Sequence, residues 1–382
     1  MKITDVRTLC LSRPHEPERQ WHSASFHVPK ADCSILLIDT DEGLQGISEP
    51  CAYGVPPEIA AHVERLKPGL LGRDPAEPDL VPPPSGERSA DIPLAGLDCA
   101  LWDLRGKVAG LPVSQLLAAP GRTPLRRVRL YASAGVSYRW DDHPESVIDE
   151  ACRLADAGFT AYKMRPGTEW GWDGVSVERF IALLEEVHRA VGHRMDLALD
   201  ANCRLTEAEA LRVGRALDDM RWAWFEEPTP RDPEVWARLS AALTTPVSGC
   251  EPFTTWPQFA PYLDGHAVDI VQPDAGVCGI SMCSELGRRA QARGIGLIPH
   301  NWHNGLMTLA NAHMVAALAE PRLVELNAVQ GPLQWEILRE KPTIRDGWLE
   351  LPDAPGLGAQ LADDLEARFP YVEGSWGVKV ER

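Results

Sequence analysis

The chain has 382 residues, 44% apolar and 24% charged, the proportions of an ordinary globular protein, which sets aside disorder and fibre architectures. Its 38 Lys and Arg stand against 55 Asp and Glu, a formal charge of −17. Nucleic acid is therefore not expected as a main partner, because phosphate binding needs clustered basic residues.

The opening MKITDVRTLCLSRP reads as a strand and not as a signal peptide, which needs a longer apolar stretch. No apolar run is long enough to span a bilayer, so no membrane partner is expected. Residues 34–40 form a second strand, Asp41-Glu-Gly43 a turn, and a third strand should follow. Residues 57–70 look helical. The proline-rich stretch from Asp74 to Pro93 reads as a surface loop. Residues 94–118 have helical periodicity broken at Gly110-Leu-Pro112. These elements make an α+β domain over 1–125. Nine scattered cysteines without a CxxC pair suit reduced thiols in a cytoplasm.

Beyond about 126 short β-rich runs alternate with amphipathic helices. The expected strands are Val128–Ala134, Phe159–Met164, Met195–Asp200, Trp222–Glu226, Pro246–Cys250, Val268–Gln272, Ile295–Pro299 and Arg322–Leu326. Helical patterns fill the gaps, among them Glu145–Ala157, Val175–Val191, Glu207–Leu217 and Ile280–Arg293. Eight βα repeats over 126–330 predict a closed TIM-type barrel. A doubly wound sheet is the alternative, but no GxGxxG turn follows any strand. The tail, 331–382, is not another βα unit and should pack back on the first domain.

In such a barrel the active site lies at the C-terminal strand ends. Strand two ends in Lys163-Met-Arg165, strand three in Asp200-Ala-Asn202, strand four in Glu226-Glu-Pro228, and strand five leads to Cys250-Glu251. Strand six ends in Gln272-Pro-Asp274, strand seven in Pro299-His300, and strand eight carries Glu325. Asp200, Glu226 and Glu251 are hard oxygen ligands one βα unit apart, a donor set suited to Mg²⁺. The alternative is three separate salt bridges. Glu227 should point away and be structural. His300 can move protons near neutral pH, with Asp274 to orient it. Lys163 can neutralise a carboxylate, or serve as a base if its pKa is depressed. Arg165 hardly deprotonates and better holds an anion. Glu325 could donate a hydrogen bond to an enolate if protonated.

At these residues the chain resembles the enolase superfamily, mandelate racemase subgroup. Ala95-Gly-Leu-Asp-Cys-Ala-Leu-Trp-Asp-Leu-Arg-Gly-Lys107 with Gly110-Leu-Pro-Val113, the rim motifs above, and Leu351-Pro-Asp-Ala-Pro-Gly-Leu-Gly358 follow the family's order over almost the full length. The resemblance implies a capping domain over a modified (β/α)₇β barrel. It implies one Mg²⁺ on Asp200, Glu226 and Glu251, a His300–Asp274 dyad, and abstraction of the proton α to a carboxylate through an enediolate. Family habit implies a homo-oligomer.

The departure is Arg165, where the subgroup's racemases carry a second Lys base. One-sided chemistry is then expected: His300 takes the α-proton and a β-hydroxyl leaves. That is dehydration of an acid sugar (aldonate or aldarate) to a 2-keto-3-deoxy acid. Racemisation, epimerisation or cycloisomerisation by the same enolisation is the alternative. A metal-dependent hydrolase would want His on the first barrel strand, which has none. Substrate contacts are expected from two capping loops, Arg13–Pro29 with Trp21 and His22, and Cys51–Pro56 with Tyr53. Asn202, Trp302 and His303 should add hydrogen bonds from the barrel.

Overall fold

The computed structural model describes residues 1–17, 20–22, 26–51, 55–167, 175–329, 331 and 333–379. In the first domain Ile3–Pro14 pairs antiparallel with Lys30–Thr40, which pairs in turn with Gln45–Ser48. The central strand is buried along nearly its whole length, and its two-residue period divides it between two cores. Leu36 and Ile38 pack with Ile59, Val63, Leu97 and Leu101 of the domain's helices. Ile35 and Leu37 join the large core that runs through the barrel. One strand thus holds cap and barrel together, each fully buried Leu or Ile contributing roughly 2 kcal/mol.

The helix Arg88–Ala109 starts inside the stretch expected to be loop, and Pro93 lies within it. Asp91 in its first turn explains the early start. Its carboxylate accepts the N–H groups of Ser85 and Gly86 and the hydroxyl of Thr254, which pins the preceding turn. Pro93 forfeits only one N–H in the second turn. The helix stops where the Gly-Leu-Pro break predicts, with Gly110 left-handed at φ 67°.

The barrel contains eight strands: Arg127–Ser133, Ala161–Met164, Asp196–Asp200, Trp224–Glu226, Val247–Gly249, Ile270–Val271, Gly296–Leu297 and Leu323–Asn327. Parallel pairing runs without a break from the seventh back to the first, and the eighth pairs parallel with the first. At the seam between seventh and eighth, Asn301 donates its backbone N–H to Glu325 Oε2 at 2.7 Å and its side-chain amide to the Glu325 carbonyl at 2.9 Å. Strands six and seven stop early, at Val271 and Leu297, ahead of Pro273 and Pro299, because proline cannot donate to a ladder.

After the sixth strand, the helix Ala275–Gln291 begins directly at Asp274, its N-cap. It kinks at Gly279 (φ 84°), and the expected start at Ile280 marks only the segment beyond the kink. The kink seats the helix on Arg88–Ala109: a Cβ at Gly279 would stand 2.7 Å from Asp98 Oδ2. Beyond the barrel, Trp348–Glu350 pairs antiparallel with the first barrel strand, Pro370 bridges Leu11, and Val378 pairs with His27. Among the described residues no helix is long and apolar enough to cross a membrane.

The wholly buried helix Gly305–Ala317 carries His313, which accepts the Ser114 N–H at 3.3 Å and lies 3.2 Å from the Leu357 carbonyl. Burial holds its pKa down at about 4, against the weaker pull of that carbonyl. Above pH 6.5 both folded and unfolded chains keep this ring neutral. Below it the unfolded chain takes up a proton that the folded chain refuses. The stability held by neutral His313 is therefore lost between about pH 6.5 and 4, by about 3 kcal/mol in all. Urea unfolding at pH 7 and pH 5 should show the fall, and His313→Gln should flatten it.

Candidate active site

Asp200 and Glu226 are register partners on adjacent strands, and Glu251 follows the fifth strand. All three are buried. Left-handed residues bend the chain beside each: Asn202 and Cys203 (φ 49° and 60°), Glu227 (φ 42°) and Cys250 (φ 84°). Such conformations cost energy and persist where packing enforces them, as at functional rims. Glu227 turns away, as expected, into a bidentate pair with Arg231 at 2.7 Å.

Each of the three acids faces a cation. Asp200 Oδ2 lies 2.7 Å from Arg165 Nε, and Glu226 Oε1 lies 2.6 Å from Lys163 Nζ. Glu251 Oε2 lies 3.2 Å from His300 Nε2. The separate pairs weighed against a metal are thus part of this geometry. The carboxylate oxygens do not all lie within 4.8 Å of one another, so gathering an ion means loosening these pairs.

The charge balance nevertheless fits a divalent cation. Glu226 is pushed up to about 7, foremost by burial. Lys163 opposes this, and Asp200, Glu325 and Glu251 add to it. The one adjacent ammonium does not offset so much buried negative charge, whereas a dication on three hard oxygens would.

Lys163 sits between Glu226 and Glu325 (2.6 and 3.0 Å) above the Tyr131 ring. Burial alone would lower its pKa, but Glu226 and Glu325 outweigh burial and raise it. That direction favours the charged ammonium over the depressed pKa that a lysine base requires. Arg165 stacks over Trp302 at 5.2 Å, and Trp302 meets Trp21 edge-on at 5.8 Å.

His300 Nδ1 lies 2.7 Å from Asp274 Oδ2. Asp274 Oδ1 accepts the Gly276 N–H at 2.7 Å, which fixes the carboxylate. Burial alone would lower the His300 pKa; Glu251, Glu325 and Asp274 outweigh it and push it up to about 10. Glu251 leads that upward push. Burial raises the Glu325 pKa, but Lys163, His300 and the Asn301 N–H outweigh it and hold it low, and its Oε2 accepts that N–H at 2.7 Å.

The expected substrate residues divide. Trp302 and Trp21 are buried; the Trp302 ring lies under Arg165 and meets Trp21 edge-on. His303 is fully buried, with Nε2 2.7 Å from the same Asp274 oxygen that His300 uses. Asn202 is half-buried at the rim, its N–H given to Asp200 Oδ1. His22 lies on a short strand paired with His27, but its side chain falls outside the described residues, as does Tyr53 entirely. The stretch expected as one loop over 13–29 contains the strands Trp21–His22 and Phe26–Val28.

Two contributors escaped the sequence reading. Gln272 donates to Glu226 Oε2 at 2.7 Å. Its place two residues before Asp274, on the same strand face, was the available signal. Glu49, from the cap, accepts the Asn304 and Met307 N–H groups at 2.7 and 3.2 Å and so fastens the loop after His300. Nothing in the sequence tied it to that loop.

Residues 4–118 match the mandelate racemase / muconate lactonizing enzyme N-terminal domain, and residues 146–365 match the enolase C-terminal domain-like family. The chain belongs to the mandelate racemase subgroup of the enolase superfamily. Among enolase-superfamily relatives it is 33% identical over 340 residues to the arabinonate dehydratase of Saccharolobus solfataricus, covering 86% of this chain and 88% of that one. It is 30% identical over 391 residues to the D-galactarolactone cycloisomerase of Agrobacterium fabrum, covering 97% and 99%. The crystal structure of the 3,6-anhydro-D-galactonate cycloisomerase from Zobellia galactanivorans superposes with a TM-score of 0.81 at 27% identity, covering 98% and 100%.

Proposed function

We propose that this chain is a Mg²⁺-dependent acid-sugar dehydratase, a hydro-lyase that converts an aldonate or aldarate to a 2-keto-3-deoxy acid. The observation that carries this reading is the asymmetry of the rim. On one side stands a histidine backed by a carboxylate; on the other stand Lys163 and Arg165, both held as cations. A racemase needs a base on each face of the α-carbon, and an arginine hardly deprotonates.

Asp200, Glu226 and Glu251 would hold the Mg²⁺ that members of this superfamily generally use. When bound, the ion supplies a fixed positive charge against the substrate carboxylate. His300 takes the α-proton and Asp274 steadies the imidazolium that results. Lys163 faces the charge that builds as the proton leaves. Arg165, flat on Trp302, holds a polar or anionic substrate group. The β-carbon–oxygen bond then breaks, the hydroxyl departs with a proton as water, and the enol product ketonises. His300 can return its proton to that hydroxyl in a syn elimination.

The name of the arabinonate dehydratase supports a sugar-acid substrate. The near-complete match to a D-galactarolactone cycloisomerase favours one second reading, the same enolisation followed by isomerisation without loss of water. Proton NMR of a library of mono- and diacid sugars and their lactones, with Mg²⁺ in D₂O, tests both. A 2-keto-3-deoxy product is expected. A product isomeric with its substrate would establish the second reading. Epimers would make Lys163 or Arg165 a second base and overturn the argument from asymmetry.

A further inference from the structure

Beside the dyad, three ligand-type atoms from distant parts of the chain converge. Cys51 Sγ, a His303 ring nitrogen and an Asp274 carboxylate oxygen all lie within 4.8 Å of one another, and all three residues are fully buried. The Cys51 N–H donates to the Gly276 carbonyl at 3.0 Å, which fixes the thiol's backbone, and His303 Nε2 stands 2.7 Å from Asp274 Oδ2. Gly276 leaves room for the group: a Cβ there would stand 3.0 Å from His303 Nε2, 3.2 Å from Asp274 Oδ1 and 3.4 Å from the Cys51 nitrogen.

We propose that Cys51, Asp274 and His303 form a second metal site, selective for a thiophilic divalent cation of the Zn²⁺ class and separate from the three rim carboxylates. Sulfur, nitrogen and oxygen together suit zinc, whereas Mg²⁺ shuns thiolate. Ligands about 2.0–2.3 Å from a tetrahedral ion stand roughly 3.3–3.8 Å apart, so the ion must part the His303–Asp274 hydrogen bond, now 2.7 Å, and take its place. The charge also balances: thiolate, neutral imidazole and carboxylate offset most or all of a dication's charge, and the thiol proton and any ring proton leave to solvent as the ion binds. Because Asp274 serves both histidines, an ion here draws its charge away from His300. The site therefore inhibits α-proton abstraction without displacing Mg²⁺.

Cobalt reports the site without any substrate, so its outcome is independent of the dehydratase reading. Co²⁺ is titrated into the full chain in excess Mg²⁺ while the near-ultraviolet thiolate-to-cobalt band is followed. One equivalent should bring up the band, and Zn²⁺ should bleach it. It should persist in Glu226→Gln and vanish in Cys51→Ser. His303→Gln, which keeps every thiol, should weaken cobalt binding at least tenfold, and covers the case in which Cys51→Ser does not fold. No band in the wild-type chain overturns the proposal. So does an undiminished band in either variant, which would move the metal to other thiols such as Cys278 and Cys283, 3.5 Å apart.

Discussion

Replacing His300 by Asn is expected to lower kcat by about 10²–10⁴-fold, the usual contribution of a positioned general base. KM should stay within about threefold of its wild-type value. The asparagine amide still reaches toward Asp274, whose other oxygen remains fixed by the Gly276 N–H. The strand-seven loop keeps its own anchors, Asn301 on Glu325 and Asn304 on Glu49. The ligand should therefore bind and not react. Substrate titration by calorimetry alongside α-proton exchange in D₂O separates the two quantities. Near-normal exchange in the variant would transfer the base to strand two.

Glu226→Gln should lose Mg²⁺ binding and turnover together. This carboxylate is where the buried charge converges. One oxygen meets Lys163 at 2.6 Å, and the other accepts from Gln272 at 2.7 Å and Trp224 at 3.1 Å. The amide keeps the shape and removes the charge. Lys163 retains Glu325 at 3.0 Å, so no buried ammonium is stranded and the fold should hold. Losing a Lewis acid worth several kcal/mol predicts a fall in kcat of at least about 10³-fold. Mg²⁺ calorimetry on the folded variant checks the binding half. Activity surviving in it would leave the carboxylates as the salt-bridge partners they are here, with no metal role.

The barrel was legible because its signal is periodic. Each expected strand contains or overlaps the observed one, and the boundaries differ by one or two residues, at strand starts as well as ahead of Pro273 and Pro299. The start of Arg88–Ala109 was hidden because the proline-rich run preceding it looks like loop, and Asp91's partners are scattered from Ser85 to Thr254. At the rim, the two-residue period and the strand ends placed Lys163, Asp200, Glu226 and His300 correctly. They could not settle protonation. Whether Glu325 donates or accepts depends on Lys163 and Asn301, contacts made across the barrel. The bond from His303 to Asp274 was hidden for a similar reason. A residue three beyond His300 in a loop can face the ligand or the dyad, and only the cap, packing from above with Cys51, decides it.

One buried carboxylate bears on how the chain folds. Asp103 accepts the Ile47 N–H at 2.9 Å and the Leu357 N–H at 2.8 Å, and is paired with Lys107 at 2.6 Å. Lys30 likewise reaches forward to the Val372 carbonyl. The first domain is therefore completed by partners 254 and 342 residues further along the chain. Contacts so far apart in sequence cost loop-closure entropy before they reward it, so the cap is expected to gain protection later in refolding than the barrel's neighbouring strands do. Pulsed hydrogen exchange during refolding should show the Ile47 and Leu357 amides protected after those of the barrel, and simultaneous protection would overturn that order.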